Sequence, residues 1–138
     1  MARRYYLDSS AYLCMLLGEK GHQQIAEEIS GGEVTSSVLL VLEVSRNLVR
    51  LSREGTLTVS QLQECMVKVE SDLDQIQLRE LTLDLCRGRV MPVVSTPRSL
   101  DLVHLRTALW FHEREKLSRF VTLDGDQALA ARELGLPV

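Results

Sequence analysis

The sequence predicts an α/β fold, a three-layer α/β/α sandwich around a short, mainly parallel sheet of four to five strands. Three observations predict it. First, a short, β-branched apolar run, Phe120-Val121-Thr122-Leu123, stops at Asp124, and a helical segment from Ala128 to Leu134 follows; such a bounded run reads as a buried strand. Second, the chain opens the same way, Tyr5-Tyr6-Leu7 running into Asp8 before an apolar helical segment from Ser9. Third, the order between these ends reads β-α-α-β-α-α-β-α-α-β-α, and strands alternating with helices imply a parallel sheet covered on both faces. With 138 residues and no repeat, linker or low-complexity tract, residues 1–138 read as a single domain.

The elements follow in order. Residues 4–7 form the first strand. Ser9 to Leu17 forms a helix closed by Gly18, and it is apolar on nearly every side, which predicts deep burial or an interface on its outer side. His22 to Ile29 is a polar helix ended by Gly31-Gly32. Glu33-Val34-Thr35 is a short strand, and Ser36 and Ser37 cap a helix that runs from Val38 to about Arg53. Within that helix Glu43 shares a face with Arg46, Asn47 and Arg50. Thr58 or Ser60 caps a helix from Gln61 to about Val69. Leu73 to Leu78 alternates as a strand with one exposed face, and Thr82 to Val90 is helical. Pro92 and Pro97 punctuate a loop from Met91 to Arg98, and Ser99 caps a helix from Leu100 to about Glu115. Leu136-Pro137-Val138 has the character of a final short strand.

Composition excludes several classes. At 45% hydrophobic and 25% charged residues the chain is that of a globular protein rather than a disordered one. A net charge of −3 argues against nucleic-acid binding through a strong overall positive field, though 16 Lys and Arg leave room for a local patch. Cys14, Cys65 and Cys86 are odd in number and far apart, so reduced thiols in a cytoplasmic protein are expected, not a disulfide framework or a zinc site. No signal peptide is apparent, and no apolar run approaches the ~20 residues of a membrane span.

Topology concentrates the acids. Asp8 and Asp124 leave the carboxyl ends of two strands. A helix that leads back into a parallel strand starts at that same edge, which places Asp101, in the first turn of its helix, there as well. The Glu43 helix also starts at that edge, with Glu43 roughly 9 Å along its axis. Asp126 is a fifth acid nearby. Converged carboxylates repel, and a divalent cation relieves the repulsion. Mg²⁺ and Mn²⁺ prefer oxygen ligands, and two such ions can activate water and stabilise the leaving oxygen of a phosphodiester. No P-loop, HExxH or GxGxxG competes.

Four pieces of the chain, YYLDSSAYL at the start, the Glu43 helix after VTSS, SLDLVHLRTAL around Asp101 and FVTLDGDQALAARELGLPV at the end, resemble the PIN domain, specifically the VapC-type toxins of bacterial toxin–antitoxin pairs. The resemblance spans essentially the whole chain. It implies a metal-dependent endoribonuclease with Mg²⁺ or Mn²⁺, leaving a 5′-phosphate and a 3′-hydroxyl. It also implies a homodimer held by a cognate antitoxin. Asp8, Glu43, Asp101 and Asp124 match the acidic quartet, Ser9 and Thr122 the hydroxyls beside it, and Asp126 an occasional extra acid.

Each acid also has a plainer reading. Asp8 could cap its helix, Asp101 could complement a helix dipole, Glu43 could pair with Arg46 or Asn47 on a solvated face, and Asp124 could be a turn residue. Arg46, Arg50 and Arg98 are candidates for RNA phosphate contacts, or simply surface charges. His104 and His112 read as ordinary helix residues, and Trp110 and Phe111 as core; 4% aromatics give single-strand stacking little to work with. The rival function is a catalytically silent PIN-like module that binds a partner protein. A phosphatase or receiver with Asp8 as nucleophile would want a second acid where Ser10 stands, or a late lysine.

Overall fold

The computed structural model describes residues 2–87, 94–95 and 98–138. Four strands, β1 (Arg4–Leu7), β2 (Glu33–Ser37), β3 (Ile76–Arg79) and β4 (Arg119–Val121), form one sheet in the order β3-β2-β1-β4, and every pairing is parallel. Among the described residues seven helices flank it: α1 (Ser9–Leu17), α2 (His22–Ile29), α3 (Leu39–Arg53), α4 (Val59–Leu73), α5 (Leu83–Arg87), α6 (Ser99–Arg114) and α7 (Gly125–Glu133). The three-layer α/β arrangement expected from the sequence is the one observed. No helix among the described residues is long and apolar enough to cross a membrane.

The topology follows from the pleat of β1. This strand lies inside the sheet, and all four of its residues are buried. Alternate side chains face opposite layers. Tyr6 packs with Leu105, Ala108 and Phe111 of α6 and Ala130 and Ala131 of α7, whereas Tyr5 and Leu7 pack with Ala11, Cys14 and Ile25 of α1 and α2. A third cluster joins Tyr12 of α1 to Leu40, Val44 and Leu48 of α3 and Val69 of α4. The crossovers β1→β2 and β2→β3 step one way along the sheet. The crossover β3→β4 returns past both strands and lays α6 on the other face. Right-handed crossovers that reverse direction must switch faces, and the reversal leaves a crevice at the carboxyl ends of β1 and β4.

Local chemistry sets the boundaries. Gly18 closes α1 in the left-handed conformation, φ 66°, its N–H bonding the carbonyls of Cys14 and Met15. Thr58 and Gln61 form a reciprocal capping box, so α4 starts at Val59 and runs to Leu73, longer than its apolar pattern suggested. The third strand therefore begins at Ile76 rather than Leu73. Asp124 caps α7 and starts it at Gly125, three residues before Ala128. Ser99 does not cap α6; it is the first helical residue, and Arg98 holds the cap position without a side-chain bond. The position before α3 is Val38, but Ser37 accepts from the Leu39 N–H at 3.1 Å, while Ser36 turns inward to the Leu7 carbonyl. The residues after Leu136 form no strand, although the Phe120 N–H donates to the Pro137 carbonyl at 2.6 Å. Pro92, Pro97 and the expected helical residues 88–90 lie outside the described residues.

The apolar α1 is accounted for by packing: none of its nine residues is exposed, because α2, α3 and α4 close over it. Trp110 is half-buried, with the guanidiniums of Arg79 and Arg114 over its ring at 4.6 and 3.8 Å, and Phe111 is core, as expected. Phe120 is fully buried and stacks on Tyr6, ring centroids 5.3 Å apart and 5° from parallel. Phe120→Ala should therefore cost about 3–5 kcal/mol. Urea denaturation checks this: the midpoint should fall with little change in slope, and an unmoved midpoint would show that the stack carries no weight.

Candidate active site at the carboxyl edge of the sheet

Asp8 follows the last residue of β1. It is buried, and it is both the N-cap of α1 and the centre of a hydroxyl cage. Its Oδ1 accepts from the Ala11 N–H at 3.1 Å and from Ser10 Oγ at 2.7 Å; its Oδ2 accepts from Thr122 Oγ1. Each hydroxyl also accepts from the loop after β4, Ser10 from the Leu123 N–H at 2.9 Å and Thr122 from the Asp124 N–H at 3.1 Å. The two ends of the chain are thus joined around one carboxylate. Burial raises the Asp8 carboxyl above the ordinary aspartate value, and the bonds from Thr122, Ser10 and Ala11 act against that rise.

Asp101 lies in the first turn of α6, partly buried. Burial raises its carboxyl too, and the charges of Asp124 and Asp8 push the same way, while Arg98 and His104 oppose them. Its ion pair with Arg98 is long, 3.9 Å. The cap bonds of Asp124, from the Asp126 and Gln127 N–H groups at 2.9 and 3.3 Å, both land on Oδ1. Gln127 is buried and donates to the Asp101 carbonyl at 3.1 Å, tying α7 to the first turn of α6.

Glu43 joins this edge through neighbours. Ser9 Oγ donates to its Oε2 at 3.1 Å, and His104 Nε2 stands 2.6 Å from its Oε1. His104 Nδ1 is 2.7 Å from the Tyr6 hydroxyl. Burial holds that phenol well above its ordinary value. His104 is therefore not an ordinary helix residue: it is 2% exposed, sits one turn after Asp101 and faces the acids. Its spacing of three from an acid of the site was the available signal. Ser10, two residues after Asp8, is a further hydroxyl at this edge whose place in the cage the sequence did not single out. His112 is a helix-end residue, accepting from the Leu117 N–H.

The remaining expected residues divide. Thr122 and Ser9 are in place beside acids. Asp126 is exposed in the first turn of α7. Arg98 reaches the rim beside Asp101. Arg50 is engaged by Glu54 and Asn47, two turns down α3 from Glu43, and Asn47 bonds the Glu43 backbone carbonyl rather than its carboxylate. Arg46 is exposed on α3.

The donor set suits a hard divalent cation. It is all oxygen, its charges repel, and Oδ2 of Asp124 is left out of both cap bonds. A carboxylate offers about four acceptor positions, and the cage around Asp8 uses three. As they stand, no three His, Cys, Asp or Glu side chains among the described residues close on a common point as ligands to one ion would.

Residues 5–133 match the PIN domain family, nearly the length of the chain. The chain belongs to the PIN domain family. PIN domains are generally nucleases, hydrolases that generally use divalent metal ions. No curated protein matches this PIN domain. Away from the acids it carries a second feature, an open groove of about 360 Å³ on the α1–α4 face, lined by Leu7, Met15, Leu16, Ile29, Val34 and Ile76, with Tyr12, Lys68 and Asp72 adding polar atoms.

The raised carboxyls make a pH prediction. Between the ordinary aspartate value of 3.8 and their raised values, the folded chain binds more protons than the unfolded chain. Stability is then lost as pH climbs through that window. Asp101→Asn removes one of the repelling charges. The variant should exceed the parent in stability at neutral pH by up to about 1 kcal/mol, a modest figure because the group is partly solvated. The difference should close below 3.8. Thermal melts across pH measure it, and parallel profiles for the two proteins would refute it.

Proposed function

We propose that this PIN domain is a metal-dependent endoribonuclease and the toxin component of a toxin–antitoxin pair, working in the cytoplasm. The observation that carries the reading is the acidic edge itself: Asp101 feels the charges of Asp124 and Asp8 at the ends of β1 and β4, and Glu43 is tethered to the same edge by Ser9 and His104. Asp8, Asp101, Asp124 and Glu43 would hold Mg²⁺ or Mn²⁺, directly or through water, with Asp126 as an outer acid. The bound ion would supply Lewis acidity toward water and toward the scissile phosphodiester.

The protein's own part is placement. Ser10 and Thr122 fix both oxygens of Asp8 and prevent its rotation. Gln127 fixes the turn that carries Asp101. Arg98, exposed at the rim, is the arginine best placed for an RNA phosphate, and Arg46 lies on the exposed side of α3. Hydrolysis would leave a 5′-phosphate and a 3′-hydroxyl, as the family resemblance implies.

The groove beside α1 supports the partner half of the reading. It is apolar, open and beside the first helix, and it would take an amphipathic segment of an antitoxin. Two copies of the chain would form the toxin's homodimer, for which light scattering at micromolar concentration should give twice the chain mass. A monomer there would count against the dimer.

The deciding experiment incubates the purified chain and RNA with Mn²⁺, then with EDTA. Discrete fragments should appear with Mn²⁺, vanish in EDTA, and fall at least ~100-fold in Asp8→Asn, since ligand loss should cost no less than loss of a neighbouring support. Mn²⁺ should also raise the melting temperature of the parent in a concentration-dependent way, and that of Asp8→Asn much less. Undiminished cleavage by Asp8→Asn would sink the nuclease reading. A chain that neither cleaves nor takes up Mn²⁺ would instead favour the silent partner-binding module.

A further inference from the structure

We infer that His104 is a positioning residue for the reaction: through a chain of hydrogen bonds from Tyr6 to His104 to Glu43, closed by Ser9, it sets the Glu43 carboxylate against the acidic edge. The inference rests on the reading of that edge as a divalent-cation site, and goes beyond it by assigning a residue outside the acidic set.

The directions of the bonds follow from chemistry. A carboxylate only accepts, so His104 Nε2, 2.6 Å from Glu43 Oε1, must be the donor. In the neutral ring Nδ1 is then the acceptor, and the Tyr6 hydroxyl, 2.7 Å away, donates to it. Ser9 donates to the second Glu43 oxygen at 3.1 Å. Every group in the chain has one role, and the tautomer of His104 is set by its partners.

The chain is held by packing at its inner end. Tyr6 and His104 are buried, at 0% and 2% exposure; the Tyr6 ring stacks on Phe120 and meets the His104 ring edge-on at 5.8 Å. Glu43 is different. It is a long side chain on α3, four residues after the helix start, and alone it would sample many rotamers. Held by His104 from α6 and Ser9 from α1, it is fixed relative to Asp101 on α6 and Asp8 at the start of α1. Two acceptor positions remain on its carboxylate, so the bonds that orient it do not exhaust it. Second neighbours that orient a metal-binding side chain in this way typically carry 10–100-fold in metal affinity or activity.

The test uses the purified full chain and reads Mn²⁺ affinity by calorimetry beside kcat and KM for RNA cleavage. His104→Ala should bind Mn²⁺ about 10–100-fold more weakly, with kcat falling and KM for RNA unchanged. His104→Gln, which keeps an N–H donor toward Glu43, should recover most of both. In a Glu43→Gln background, adding His104→Ala should cost nothing further in Mn²⁺ affinity, because the residue through which His104 acts is already neutral. Near-native circular dichroism in the Gln variant keeps the comparison valid if the Ala variant folds poorly. Equal Mn²⁺ affinity in the parent and His104→Ala, or no difference between the Gln and Ala variants, or additive losses in the double variant, would overturn the inference while leaving the metal site standing. A parent that binds no Mn²⁺ and cuts no RNA would overturn the functional reading, and this inference with it.

Discussion

Like charges held together out of water are the constraint on which this molecule turns. Asp8 is buried at the mouth of the sheet, and its charge and that of Asp124 press on the protonation of Asp101. Such a cluster costs stability in the empty protein. The fold answers with donors rather than with buried countercharge: two hydroxyls and a helix N–H around Asp8, an arginine at long range from Asp101, two cap N–H groups on Asp124. These donors orient the acids without neutralising them.

The same groups carry the architecture. The N-cap of α1, the N-cap of α7 and the first turn of α6 are all made of residues of the candidate site, so these three helices begin at that edge. The hydroxyls of Ser10 and Thr122 bond the two chain ends through the loop after β4. Tyr6 serves twice, as an aromatic plate in the core between α6 and the sheet and as the inner end of the His104 chain. Core packing and site geometry are for that reason one problem in this protein, and the strands β1 and β4 are where it is solved.

Much of this could be read from the sequence because strand ends in a parallel sheet are predictable places. Asp8 and Asp124 each stop an apolar run, and topology alone brings Asp101 and Glu43 to their edge. The parallel order of elements was equally visible in the alternation of patterns. What could not be read depends on contacts distant in the chain. His104 becomes significant only when α6 lies against β1 and α3, bringing Tyr6 and Glu43 to its two nitrogens. Ser10 gains its place around Asp8 only when the β4 loop arrives beside it. Boundaries slipped where a cap outweighed an apolar pattern, as Thr58 did for α4 and Asp124 for α7. The apolar first helix stands out in the sequence, but its cover comes from three helices of its own chain, with a groove left open beside it.

The short contact between the Phe120 N–H and the Pro137 carbonyl has a consequence for assembly. An outer strand with free backbone groups is an invitation for another sheet to add on. Here the donor on the outer side of β4 is already answered, and the residue that answers it has no N–H of its own with which to extend the ladder. Pro137 therefore covers one backbone donor on that margin of the sheet. A further strand that paired along β4 would have to displace this bond at Phe120.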